Sequence, residues 1–141
     1  MLNIEILYKF VSRSTISVAT YLIGGIDNLL TALIILIIID YVTGILKSIY
    51  QKNFKIKINI EGVIRKVGYY FIVILATILD YIIGDSSMAI RTLTIYFFIA
   101  NEAISILENW ASIGLPLPKK LYEIFENLKK FEKNIEKERN E

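Results

Sequence analysis

The sequence predicts an all-α, multi-pass membrane protein. Three transmembrane helices are preceded by an amphipathic helix and followed by a charged cytoplasmic helix. Three observations predict this. The chain is 55% hydrophobic over 141 residues, with a mean hydropathy of +0.52, and one this short cannot enclose so much apolar side chain in a single globular core. Three long apolar stretches are separated by short polar segments, with basic residues gathered in the first of those segments and after the third stretch. The third stretch carries its polar residues on one face. The expected organisation is an N-terminal arm over 1–25, a transmembrane domain over 26–115 and a charged tail over 116–141.

The arm reads as a helix. Glu5, Lys9 and Arg13 recur every four residues and share a face, which places the acid within reach of the base. Ile6, Leu7, Phe10 and Val11 lie mostly elsewhere. A charged face at mid-length favours a helix lying in the membrane interface over one that spans. Gly24-Gly25 should end it. No cleavable signal peptide is expected, because Lys9 and Arg13 interrupt the apolar run.

The first span is expected over about 28–46, an Ile/Leu run with one charge, Asp40. About 20 apolar residues cross the hydrocarbon. A basic connection follows, with Lys47, Lys52, Lys55, Lys57, Arg65 and Lys66 against Glu61. Such residues between two spans orient the chain with this loop in the cytoplasm, and nucleic acid is not an expected partner. The second span is expected over about 67–84, with Asp80 as its charge. A tight turn at Gly84-Asp85-Ser86-Ser87 leads to a third span over about 88–108. The N-terminus is then outside and the C-terminus cytoplasmic.

The third span holds the informative pattern. Arg91, Thr94, Asn101, Ser105, Glu108 and Ser112 are spaced 3, 7, 4, 3 and 4, with Glu102 and Asn109 beside the same line. Spacings of three and four mark one helix face. Lipid cannot satisfy such a face. It lines water, meets another subunit or packs within one subunit, and its length favours the shared face. The charges Asp80 and Arg91 flank one turn, so a hairpin brings them to one depth and predicts an ion pair. Asp40 and Glu102, at comparable depth nearer the cytoplasm, cannot neutralise each other. Beyond Pro116 and Pro118, the tail carries Leu121, Ile124, Leu128, Phe131 and Ile135 at spacings of 3, 4, 3 and 4. That is a seam of about two heptads, short of a firm coiled coil. IIIDYVTG (37–44) echoes TILDYIIG (77–84), too briefly to establish a repeat.

The chain has no His and no Cys, which removes the commonest general base, the commonest zinc ligand and any thiolate site. No catalytic set, metal cluster or phosphate-cradling Gly loop appears, so no enzyme activity or cofactor is expected.

Three blocks carry a resemblance. Asp40-Tyr41-Val42-Thr43-Gly44-Ile45-Leu46-Lys47 is like "DyxTGxxKA". Glu61-Gly62-Val63-Ile64-Arg65-Lys66-Val67-Gly68 is like "GxxxGxxRKxG". Asn101-Glu102-Ala103-Ile104-Ser105-Ile106-Leu107-Glu108-Asn109, continuing to Gly114-Leu115-Pro116-Leu117-Pro118-Lys119-Lys120-Leu121, is like "NExxSIxEN…GxPxPxxL". In order and spacing the chain resembles, over about 27–130, the phage lysis and toxin-secretion holins of Gram-positive bacteria and their phages. Ser48 stands where the family often has Ala, and Ile58-Asn59-Ile60 replaces a more Ser/Gly-rich loop. An Ile-, Lys- and Asn-rich composition fits an AT-rich genome of that kind. The resemblance implies a homo-oligomer in the bacterial cytoplasmic membrane. Its partners are the lipid bilayer, further copies of itself and, without direct contact, an endolysin or signal-less toxin that it releases. A selective ion channel or small transporter subunit, or a membrane anchor for another protein, are the alternative readings.

Overall fold

The computed structural model describes residues 4–52 and 60–140, apart from the side chains of residues 125, 128, 129, 131, 132, 135, 136, 139 and 140. Five helices follow in order: α1 (Ile4–Leu22), α2 (Asn28–Tyr50), α3 (Ile60–Ile83), α4 (Ala89–Ser112) and α5 (Lys119–Asn140). No strand occurs among the described residues. The protein is all-α. The helices α2, α3 and α4 are each long and apolar enough to cross a membrane. Helices suit that solvent because each pairs its own backbone groups.

Local signals set the helix ends. Gly24 and Gly25 have φ of 80° and 92°, a left-handed stop that closes α1 with Gly24 N donating to Tyr21 O and Gly25 N to Thr20 O. Asp27 caps α2, its Oδ1 accepting from Leu30 N at 2.8 Å. The helix α4 ends before Gly114, with φ of 77°. Pro118 opens α5, its carbonyl accepting from Leu121 N and Tyr122 N.

Three of the basic residues expected on the connection are helical instead. Lys47 stands in the last turn of α2, and Arg65 and Lys66 in the early turns of α3. A helix keeps its amides and carbonyls paired beyond the apolar run, so it outlasts the hydrophobic signal at the sequence level. Lys52 follows α2 with φ of 53°. Lys55 and Lys57 lie outside the described residues, as do the side chains of Leu128, Phe131 and Ile135 in the tail seam. The seam's Leu121 and Ile124 are exposed on α5.

The chain divides into two compact units, Met1–Ala32 with Asn59–Phe98, and Leu33–Ile58 with Ile99–Glu141. In the first, Leu30, Val73, Ala76, Ile95 and Phe98 are the buried apolar residues, joined by Thr77, Asp80 and Arg91. Tyr69 stacks on Phe98 at 4.0 Å between ring centres. In the second, Leu33, Thr43 and Glu102 are buried. Most large apolar side chains of α2, α3 and α4 are exposed.

Candidate functional site

Arg91 makes three side-chain hydrogen bonds within the first unit. It leaves the first turn of α4 and reaches the chain that joins α1 to α2. Its Nε donates to Ile23 O at 2.6 Å, its Nη2 to Gly25 O at 3.0 Å, and its Nη1 to Asp27 Oδ2 at 2.7 Å. Only 4% of the Arg91 side chain is exposed, against 47% of Asp27. A guanidinium spreads its donors in a rigid fork, which serves two carbonyls and a carboxylate together in one fixed geometry. From α3, the Thr77 hydroxyl shares its one proton between Val73 O at 2.8 Å and Ile23 O at 3.2 Å. Gly24 is required in this clasp for a second reason besides its φ. A Cβ there would stand 2.9 Å from Arg91 Nε and 3.2 Å from Thr77 Cγ2. The hydrogen bond from Arg91 holds the Asp27 carboxyl below its ordinary 3.8, against the opposing effect of partial burial.

Asp80 answers a different need. It is fully buried at 0% exposure. Its Oδ1 accepts from Ile90 N at 3.0 Å and its Oδ2 from Arg91 N at 2.8 Å. These are amides of the first turn of α4, which have no partner within the helix. A carboxylate there also meets the positive end of the helix dipole. Asp85 completes the cap, Oδ2 accepting from Ala89 N at 3.3 Å and Oδ1 from the Ser87 hydroxyl at 2.6 Å. That hydroxyl, with the Ser87 N–H, holds Asp85 below its ordinary 3.8. The expected ion pair between Asp80 and Arg91 is therefore corrected. The hairpin does bring the two residues together, but Asp80 takes the Arg91 backbone and the guanidinium takes Asp27. Backbone amides without a helical partner compete successfully for a carboxylate, and sequence spacing does not display them.

In the second unit, Asn109 joins α4 to α2. Its Nδ2 donates to Asp40 Oδ1 at 3.1 Å and to Thr43 Oγ1 at 3.3 Å. The Thr43 hydroxyl in turn donates to Asp40 O at 3.0 Å. A Cβ on Gly44 would lie at ordinary contact, 3.7 Å, from Asn109 Nδ2. The first and third blocks of the resemblance thus meet at Asp40, Thr43 and Asn109.

The polar stripe of α4 separates into parts. Arg91 and Glu102, read as members of a face shared between subunits, are enclosed by their own subunit, at 3% and 2% exposure. Thr94, Asn101, Ser105 and Asn109 are half-buried, and Glu108 is exposed. The sequence pattern does not mark Asp27 or Thr77 as site residues, and it marks Gly24 only as the end of α1. The position of Asp27, one residue before an apolar run, signals the cap but not the partnership with Arg91. Among the described residues, no group of three or more acidic side chains is arranged to hold a metal ion.

The sequence profile of the bacteriophage holin family matches residues 17–130. A protein described as a probable holin, from Bacillus phage phi105, is 36% identical over 98 residues, covering 70% of this chain and 71% of that one. An uncharacterised 14.9 kDa protein of Clostridium perfringens is 36% identical over 109 residues, covering 77% of this chain and 83% of its own length. An uncharacterised protein of Bacillus subtilis is 35% identical over 129 residues, covering 89% of this chain and 91% of its own length. No solved structure matches the chain. The match spans α2, α3 and α4 and much of the tail, and includes every side chain of the clasp, the α4 cap and the Asp40–Asn109 contact: the chain belongs to the bacteriophage holin family.

Proposed function

We propose that copies of this chain associate in the bacterial cytoplasmic membrane through the polar edge of α4, and that the assemblies open lesions that release an endolysin or a signal-less toxin. One observation carries the reading. In a helix apolar enough to span, Asn101 stands near the middle and is only half-buried by its own subunit, with Thr94, Ser105 and Glu108 along the same side. An amide facing hydrocarbon leaves donors and acceptors unmet, and a second copy of the same edge meets them. Interhelical hydrogen bonds in membranes contribute about 0.6–2 kcal/mol each. Association through them is weak per contact and builds with density. The protein acts without catalysis and without direct contact with its cargo.

In this reading Lys47, Lys52, Lys55, Lys57, Arg65 and Lys66 mark the cytoplasmic side, the N-terminus is outside and the tail is inside. The tail seam Leu121, Ile124, Leu128, Phe131 and Ile135 adds to assembly once several tails share a patch, because tethering raises their effective concentration. Single cysteines at Lys52 and Ser86 test the orientation. In intact cells a membrane-impermeant thiol reagent should label only Ser86→Cys, and the reverse pattern overturns it.

The functional test is induced expression beside a muralytic enzyme that lacks a signal. The parent should depolarise the membrane abruptly and let the enzyme reach the wall. Asn101→Leu should insert at the same level, lose its crosslinked ladder and delay or abolish lysis. Parent-like crosslinking and lysis in Asn101→Leu would remove the α4 edge from the assembly. Passage of ions without the enzyme would make the protein a selective channel.

A further inference from the structure

The helix α1 has no buried residue. Six of its apolar side chains nonetheless share one side, while Ile16 lies exposed among the charged residues on the other. Leu7, Val11, Val18 and Leu22 are spaced 4, 7 and 4, with Phe10 and Tyr21 flanking them, and all are exposed. Glu5, Lys9, Ser12 and Arg13 occupy the other side, with Lys9 Nζ 2.7 Å from Glu5 Oε1. An apolar arc of this length does not stay in water.

The clasp fixes where that arc ends. Ile23 and Gly25 are held by Arg91 at the start of α4, and Ile23 also by Thr77 of α3. Asp27 caps α2 in the same segment. The last turn of α1 therefore lies beside the start of α2, the C-terminal half of α3 and the start of α4, where the spans begin and end. Tyr21 stacks with Tyr81 there, 6.1 Å between ring centres, and tyrosine favours the membrane boundary.

We propose that the apolar face of α1 docks on the lipid surface of the membrane its own spans cross, lying along the boundary between headgroups and acyl chains. The Arg91 clasp holds it at that level. The occupant is lipid because the arc ends, at the Tyr21–Tyr81 stack, beside an exposed residue of α3, a helix apolar enough to span. A helix with charges on one side and apolar residues on the other sinks about 5–10 Å into that boundary. This goes beyond the proposed assembly and does not depend on it.

The test uses the full chain, which has no native Cys. Spin labels are attached to single cysteines at Leu7, Val11 and Val18 on the apolar arc, and at Lys9 and Ser12 on the other. The protein is placed in vesicles of phosphatidylethanolamine and phosphatidylglycerol, and collision with oxygen and with a water-soluble nickel chelate is measured. Oxygen should dominate at Leu7, Val11 and Val18, at one shared shallow depth, and nickel at Lys9 and Ser12. Depth changing steadily from Leu7 to Val18 would mean a fourth span and overturn the proposal. So would nickel access at all five positions. Exclusion of both reagents from the apolar arc would mean a protein partner, such as a second copy, and overturn it equally. In the clasp variant Arg91→Met, the label at Val18 should gain mobility; an unchanged spectrum would remove the clasp from this role. None of these readouts involves lysis, so their failure leaves the assembly proposal standing, and the converse holds.

Discussion

Replacing Arg91 by Met should undock the end of α1. Methionine keeps a long apolar stem but deletes all three side-chain hydrogen bonds. The two carbonyls each lose a donor, at about 1 kcal/mol net apiece, and Ile23 keeps the Thr77 hydroxyl at 3.2 Å. The Asp27 pair is harder to weigh. A fully buried pair broken on one side costs about 3–5 kcal/mol, but Asp27 is 47% exposed. Water replaces much of what it loses, so about 1 kcal/mol is the better figure. Together these give about 3 kcal/mol, or about 150-fold in the balance between docked and undocked states. Spin labels at Ser14 on α1 and Ser86 in the α3–α4 turn, both exposed, report this balance as a distance distribution. The parent should give one narrow peak and Arg91→Met a broad one, with thermal stability of the spans reduced much less. Arg91→Lys should fall between them, since a single ammonium does not reproduce the fork. A narrow, unshifted peak in Arg91→Met would show that the tyrosine stack and Thr77 suffice, and the clasp argument would fail.

Other outcomes follow from the same contacts. Asp80→Asn leaves one acceptor oxygen for the Ile90 and Arg91 amides and should lower the thermal midpoint in detergent, at a cost of about 1–3 kcal/mol; an unchanged midpoint would rule out Asp80 as the cap of α4. Asn109→Asp sets a second carboxylate beside Asp40 and should destabilise more than Asn109→Leu, and equal midpoints would mean the two side chains do not meet in solution. Because Asp27 is held below its ordinary 3.8, its contribution is fully present above that value and is lost as pH falls through the lower folded value. The Ser14–Ser86 distance should therefore hold between pH 7 and pH 5 and broaden only below 3.8, and broadening that begins at pH 6 would refute this origin.

The spans were legible because hydrocarbon imposes a rule that composition can meet or fail. The stop after α1 was legible because two consecutive glycines take positive φ without cost. The face of α4 was legible as a face, since periodicity reports which residues share a side. It does not report what that side meets. Of the residues on it, Arg91 and Glu102 are enclosed by their own subunit. The partner of Asp80 was hidden for a related reason. Its ligands are amides, which every residue carries and no sequence pattern marks. The meeting of Asp40 and Thr43 with Asn109 was foreshadowed only by the family blocks, which mark positions without saying which of them touch.

The distribution of satisfied and unsatisfied polarity bears directly on how such a protein waits before it acts. Among the described residues, no buried side-chain polar atom lacks a hydrogen-bond partner. The two aspartates of the short echo both serve α4: Asp80 binds amides at its start, and Asp40 accepts from Asn109 near its end. Arg91 is spent on the clasp. A subunit built this way carries strong charges through the membrane without needing a neighbour for any of these three. What remains for association is the half-buried edge with Asn101 at its middle, and its contacts contribute only about 0.6–2 kcal/mol each. Had Arg91 and Glu102 faced outward, unpaired charge would force subunits together at the lowest density. In the assembly proposed above, enclosing them would let single subunits persist and leave association to mass action along a weak polar edge. Delay before lysis, on this account, follows from where the charges are hidden, and moving one charge outward should shorten it.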